Sequence, residues 1–171
     1  MKSTYNIALV PTKEAQQFIQ CANFVSTVAD RYLLGKSSLP HVTLYQFEAN
    51  ETDIDSIWEK ACNELDQKSI ELIFKKFSCI TFDGNIFWAS LLPDNCDVLM
   101  QMHAVIAGIV NKPVKSNYDP HLTLISTKDS MYENLVNKLS ATYVPIQDVF
   151  VLALGRSDEI GQLTKVINSR R

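Results

Sequence analysis

Residues 40–44 read Pro-His-Val-Thr-Leu and residues 120–124 read Pro-His-Leu-Thr-Leu. No other feature of this chain restricts its fold as strongly. Residues at i and i+2 of a β-strand share a face, and their neighbours share the other. His41 and Thr43 therefore project together, as do His121 and Thr123. Val42 with Leu44 and Leu122 with Leu124 give the opposite face an aliphatic character, the alternation of a strand with one side in a core. With ten Thr among 171 residues and a hydrophobic fraction of 46%, chance would give this frame to two of the three histidines about once in two thousand such chains. The polar faces of the two strands serve something other than the core.

A repeat at a fixed offset can reset a whole fold assignment, so the rest of the chain is read for duplication. The first half predicts a strand over 5–10, a helix over about 12–33, the strand 41–47, a helix over 52–66 opened by a Thr52-x-x-Asp55 cap signal, and a strand over about 70–82. The second half predicts a strand over 85–92, a helix over about 95–111, the strand 121–126, a helix over about 129–140 and a strand over about 146–155. A last strand, about 162–168, follows the turn at 156–161. Each half is strand, helix, strand, helix, strand, with the His-Thr frame on its middle strand. The expected fold is α+β: a bilobal pseudo-two-fold duplication with mainly antiparallel sheets facing a central cleft. The whole of 1–171 is read as one unit, lobe 1 about 1–83 and lobe 2 about 84–171, with exchange of terminal strands left open.

Charge and composition narrow the function. A net charge of −3 argues against coating DNA or other nucleic acid through a broad basic field, though not against a local phosphate site. No apolar run is long enough for a membrane span, and no secretory leader pattern opens the chain. A cytoplasmic monomer without a membrane partner is expected. Cys21, Cys62, Cys79 and Cys96 form no C-x-x-C and sit among apolar residues, which predicts small buried thiols in a reducing compartment.

Two imidazoles and two hydroxyls on facing strands suit an in-line displacement at phosphorus. One neutral ring takes a proton from the attacking oxygen, and one protonated ring gives a proton to the leaving oxygen. Each threonine donates to a non-bridging oxygen and offsets charge that grows in the transition state. His41 and His121 are thus the expected catalytic pair and Thr43 and Thr123 the phosphate-binding pair, with both limbs of the pH profile between about pH 5 and 8. No metal ligand set, G-x-S-x-G elbow or P-loop is present, so no cofactor and no metal are expected.

The paired frames, the order of elements and the length resemble the 2H phosphoesterase superfamily, which includes RNA 2′,5′-ligase-like and cyclic phosphodiesterase proteins. The resemblance implies a metal-independent bilobal fold with His41, Thr43, His121 and Thr123 in its cleft. It further implies action on 2′,3′-cyclic phosphates, 2′,5′-linked oligonucleotides or cyclic phosphates of ADP-ribose, with a nucleotide or RNA end as partner. Hydrolysis is the first expectation. RNA 2′,5′-ligation and non-catalytic binding of nucleotide or RNA ends are the alternatives.

Some neighbours are weaker candidates for substrate contact. Tyr45 continues the face of His41 and Thr43, and either stacks on a base or lines the rim. Trp88 is in the same position between base stacking and core. Lys115 and Tyr118 lie in the loop leading into His121, where they reach phosphate or are simply solvated. Arg156 reads as a turn residue first and a phosphate clamp second. His103 borders an apolar helical stripe of Leu99, Met102, Val105, Ile106 and Ile109 and is expected to be structural.

Overall fold

The computed structural model describes residues 2–67 and 69–170. Seven antiparallel strands form one sheet: β1 (Lys2–Pro11), β2 (Val42–Asn50), β3 (Ser69–Thr81), β4 (Phe87–Pro93), β5 (Leu122–Thr127), β6 (Ile146–Ser157) and β7 (Leu163–Ser169). Their order is β2-β1-β6-β3-β4-β5, with β7 also on β6. Strand β6 joins the two ends. It pairs with β1 from Phe150 to Arg156, with β3 from Ile146 to Val151 and with β7 from Ala153 to Ser157. Strand β3 comes early in the chain yet bonds to β4 and β6, so the strand groups do not follow the two halves of the sequence.

The helices are α1 (Ala15–Phe24), α2 (Ile54–Glu64), α3 (Cys96–Ile109) and α4 (Tyr132–Thr142). Helix α1 lies on the β3–β6 part of the sheet, where Phe18 meets Phe74 edge-on at 5.2 Å and Phe150 at 5.9 Å. Such aromatic clusters bury much apolar area and add edge-to-face attraction. Helix α3 lies on the other end, against β2, with Leu99, Met102, His103, Ile106 and Ala107 buried. Helix α3 thus covers a strand of the first half, α1 packs on strands of both halves, and one continuous core contains residues of both.

Helix α1 has no side-chain cap of its own. Its first turn is satisfied from β6, where the Asp148 carboxylate accepts the backbone N–H of Lys13 at 2.9 Å and of Glu14 at 2.7 Å, the anionic partner a helix start favours. The helix expected over 12–33 is shorter than its periodicity predicts. It stops at Phe24, with a 3-10 turn at Ser26–Val28. The segment after it instead runs extended along the free edge of β5: Asp30 donates to the Ser126 carbonyl at 2.7 Å, Ser126 to the Tyr32 carbonyl at 3.0 Å and Leu34 to the Leu124 carbonyl at 2.9 Å. Tyr32 and Leu34 are buried by covering that edge, so an apolar spacing that matches a helix is fulfilled by an edge segment. The expected Thr52 cap also differs: its hydroxyl bonds Asp53 in a 3-10 turn at Glu51–Asp53, and α2 starts without a side-chain cap. None of the four cysteines is fully buried, and Cys96 is exposed. No helix among the described residues is long and apolar enough to cross a membrane.

Candidate active site

Strands β2 and β5 occupy opposite ends of the sheet order, and the curvature of the sheet brings them together. Their meeting forms a cleft of about 430 Å³ lined by His41, Thr43, His121 and Thr123. The four residues singled out from the two frames therefore share one cavity.

Both frames carry the same two devices. The first holds the histidine. His41 Nδ1 lies 2.7 Å from the Leu39 carbonyl and His121 Nδ1 lies 2.7 Å from the Asp119 carbonyl. A carbonyl only accepts, so Nδ1 carries the proton in each ring and Nε2 is left for a substrate. The residue between carbonyl and histidine is Pro40 in one frame and Pro120 in the other, and its fixed φ shapes the turn that brings the carbonyl of i−2 onto the ring. The proline is thus part of the site.

The second device is a β-bulge after each threonine. Ala8 pairs with Thr43 and Ile7 with Tyr45, which skips Leu44. Ser90 pairs with Thr123 and Ala89 with Ile125, which skips Leu124. Bulges concentrate beside active sites, where they re-aim side chains. The carbonyl of each skipped leucine is taken from outside the ladder, Leu44 by His103 Nδ1 at 2.7 Å and Leu124 by the Leu34 N–H at 2.9 Å.

The bulge corrects the reading of Tyr45. Past Leu44 the alternation flips, so Gln46 faces the cleft and Tyr45 turns away, its hydroxyl donating to the Pro113 carbonyl at 2.9 Å. Tyr118 is also absent from the cleft lining; its hydroxyl donates to the Thr43 carbonyl at 2.7 Å. These two rings sandwich His103, with centroids at 5.2 Å for Tyr45 and 4.0 Å for Tyr118. Lys115 belongs to the same cluster, its Nζ 5.1 Å over Tyr45 and its backbone N–H donating to His103 Nε2 at 3.1 Å. His103 is buried with both ring nitrogens bonded, and it ties the loop leading into His121 to the back of β2. Of the weaker candidates, only Trp88 lines the cleft. Arg156 pairs with Glu51 at 2.9 Å, away from the cleft.

The sequence did not point to Asn6, Gln46, Ser90, Ile80, Phe82 or the turn at 159–161, though all but Asn6 line the cleft. Asn6 is fully buried behind it and donates Nδ2 to Thr43 Oγ1 at 2.9 Å. With that lone pair engaged, the Thr43 hydroxyl proton is free to point at a substrate. Asn6 Oδ1 is buried with no partner among the described residues. Gly161, at φ +83, adopts a backbone open chiefly to glycine and presents main chain to the cleft. Ile80, Trp88 and Phe82 make one wall apolar, and Phe82 is 83% exposed.

The two histidines differ in setting. His121 is exposed and His41 is buried. Burial, reinforced by the charge on His121, lowers the His41 pKa from 6.5 to about 4, against the opposing pull of the Leu39 carbonyl on Nδ1. The unfolded chain therefore binds a proton at this residue more readily than the folded one between those values. Stability at His41 is full above about pH 6.5 and is lost as the pH falls toward 4, by an amount on the order of 3 kcal/mol. Denaturant unfolding at pH 7 and pH 4.5 is expected to show this loss, and His41→Gln to show less of it. Equal slopes in the two proteins would remove His41 as its source.

Two strands presenting His-apolar-Thr across one groove give the fold and cleft of the 2H type of protein. The chain belongs to the 2′-5′ RNA ligase superfamily, whose profile matches residues 11–166. That membership supports a phosphodiesterase-type enzyme acting on nucleotide phosphodiesters. Among curated proteins, none matches the chain in sequence. Solved structures do match in fold. E. coli LigT complexed with phosphate superposes with a TM-score of 0.65 at 15% identity, covering 98% of this chain and 96% of that one. E. coli LigT complexed with ATP gives 0.62 at 14% identity over 99% and 97%. Kluyveromyces marxianus Usb1 gives 0.58 at 12% identity over 96% and 95%.

Proposed function

We propose that this protein is a metal-independent phosphoesterase that hydrolyses a cyclic or 2′,5′-linked phosphodiester of a nucleotide or RNA end. The observation that carries the reading is the doubled device of the cleft, in which two imidazoles are locked in the same tautomer, each two residues from a threonine on the same strand face. His41, kept neutral by burial, acts as base: its Nε2 takes a proton from water as the water oxygen bonds to phosphorus. His121, open to solvent, acts as acid in its cationic form, in which Nε2 also carries a proton: that proton passes to the ribose oxygen as the opposite P–O bond breaks. Thr43 and Thr123 donate to the non-bridging oxygens, and the wall of Trp88, Ile80 and Phe82 receives the base. The LigT structures with phosphate and with 3′-AMP support a phosphate-sized anion and a nucleotide as ligands of this fold.

The test is a panel of 2′,3′-cyclic mononucleotides, 2′,5′- and 3′,5′-dinucleotides and ADP-ribose cyclic phosphate, assayed with and without EDTA. Turnover of at least one cyclic or 2′,5′-linked substrate, unaffected by chelation, is expected. Activity lost to EDTA and restored by Zn²⁺ or Mn²⁺ would replace proton transfer with Lewis-acid chemistry. Binding without turnover would make the protein a nucleotide-end binding module, and joining of RNA ends without hydrolysis would make it a ligase.

A further inference from the structure

The cleft is not closed at its β2 end. Along the ladder of β1 and β2 the cleft face continues from Ala8 and Thr43 to Asn6 and Gln46, and then to Thr4 and Glu48. At the edge of β2 beside Thr4, Gln46 and Glu48 lies a second cavity of about 400 Å³, whose lining also includes Tyr45 and Phe47 from the other face of the strand, with Lys112, Lys115 and Glu159. Gln46 and Glu159 line both cavities, so the two meet at those residues. Gln46 is held in place by its Nε2 donating to the Asp158 carbonyl at 2.6 Å. Each cavity is of a size that takes one nucleotide unit.

The charges differ between the two. In the catalytic cleft the titratable groups are the histidines, Tyr32 and Glu159. The outer cavity has Lys112 and Lys115, both exposed and neither in an ion pair among the described residues. Of its two carboxylates, Glu159 is already paired with Arg31 at 3.1 Å, which leaves both lysines set against Glu48 alone. With Arg31 counted, this surface carries one positive charge more than negative, in a protein of net charge −3, and its two unpaired ammonium groups attract an anion that the catalytic pair does not itself use. Compact ammonium groups on flexible stems suit a phosphate whose position varies.

We propose that the outer cavity is a subsite for the neighbouring nucleotide of a single-stranded RNA segment, its phosphodiester held by Lys112 and Lys115. The substrate is then an oligonucleotide end rather than a lone cyclic mononucleotide. This rests on the reading of the main cleft as a phosphodiester site, and it identifies which class of phosphodiester fits best. The terminal unit occupies the cleft, its base against the Trp88 wall, and the next unit passes over Gln46.

The test is an equilibrium titration with a labelled tri-ribonucleotide carrying a 3′-phosphate, competed by the corresponding nucleoside 3′-monophosphate. The trimer is expected to bind about tenfold more tightly. In Lys112→Gln/Lys115→Gln that advantage disappears, and the slope of log affinity against log salt falls by roughly 0.7, the contribution of one single-strand phosphate. Glu48→Gln, which removes the opposing carboxylate, moves the trimer affinity upward. Equal affinities for trimer and monomer, or an advantage that survives the double substitution, would overturn the subsite. The titration needs no turnover, so it decides the subsite even if the phosphodiester panel shows no activity. Turnover of cyclic mononucleotides with no trimer advantage would leave the main cleft standing without this extension.

Discussion

Replacing His41 by alanine is expected to lower kcat by about 10²–10⁴, and replacing His121 to do the same, the usual worth of one positioned acid or base. On the proposed mechanism both act in one transition state, so removing the second histidine after the first is expected to cost far less, since residues that act as a unit are non-additive. Steady-state kinetics on the two single variants and the double variant measure this directly, with unfolding midpoints taken alongside. Full activity in either single variant would move the site elsewhere. The burial of His41 adds a signature in pH. Its pKa is lowered to about 4, so in the free enzyme the base stays neutral well into acid and the acid limb of kcat/KM falls near that value. The sequence alone placed this limb above pH 5. A histidine whose face lies toward a cleft looks solvated in one dimension, and only the folded chain reveals that Gly161 and its turn close over it.

His103 deserves separate treatment in such experiments. From its helical stripe it reads as a structural residue and hence as an inert control. In the fold it is buried and bonded at both nitrogens, to the bulge carbonyl of Leu44 and to the N–H of Lys115. His103→Gln therefore disturbs the strand that carries Thr43 and the loop that leads to His121, and a loss of activity there reports positioning.

What was legible and what was not divide along a physical line. Strand periodicity is local, so all seven strands can be read from alternation and turn residues, and the repeated frame alone points to the four cleft residues. The bulges are local too and left a trace: polar residues stand at 41, 43 and 46 and again at 121, 123 and 126. A step of two followed by a step of three is the mark of one extra residue in the strand, and it separates Gln46 from Tyr45. The prolines are likewise visible, but their role as the hinge that sets a carbonyl on a histidine depends on three-dimensional geometry. The edge segment after α1 was not legible, because Val25, Ala29 and Tyr32 satisfy a helical spacing equally well and the competing partner, the edge of β5, lies some ninety residues away. Asn6 was invisible for a similar reason: nothing on β1 announces which residue of β2 it supports.

The threonines give the second large effect, and the structure makes the two unequal. Thr43→Val and Thr123→Val keep a β-branched shape and remove one hydroxyl each, so each is expected to lower kcat by roughly 2–4 kcal/mol of transition-state stabilisation if the hydroxyl donates to the phosphoryl group as it gains charge. Stability separates them. The Thr123 hydroxyl has no protein partner among the described residues, and its loss leaves the fold almost unchanged. The Thr43 hydroxyl accepts from Asn6, whose Oδ1 is already unpartnered. Thr43→Val strands the remaining polar atom of a fully buried amide, at a cost of about 1–3 kcal/mol. Asn6→Leu removes that liability and restores most of the lost stability when combined with Thr43→Val. On its own, Asn6→Leu frees the Thr43 hydroxyl to rotate and lowers kcat about tenfold without a matching loss of stability, since an amide with one bond unmade contributes little to the fold. Chemical unfolding and kcat on Thr43→Val, Thr123→Val, Asn6→Leu and the double variant decide the matter. Equal stability losses in the two threonine variants would show that the Asn6–Thr43 bond contributes nothing to the fold, and wild-type kcat in Asn6→Leu would show that Asn6 leaves the Thr43 proton undirected.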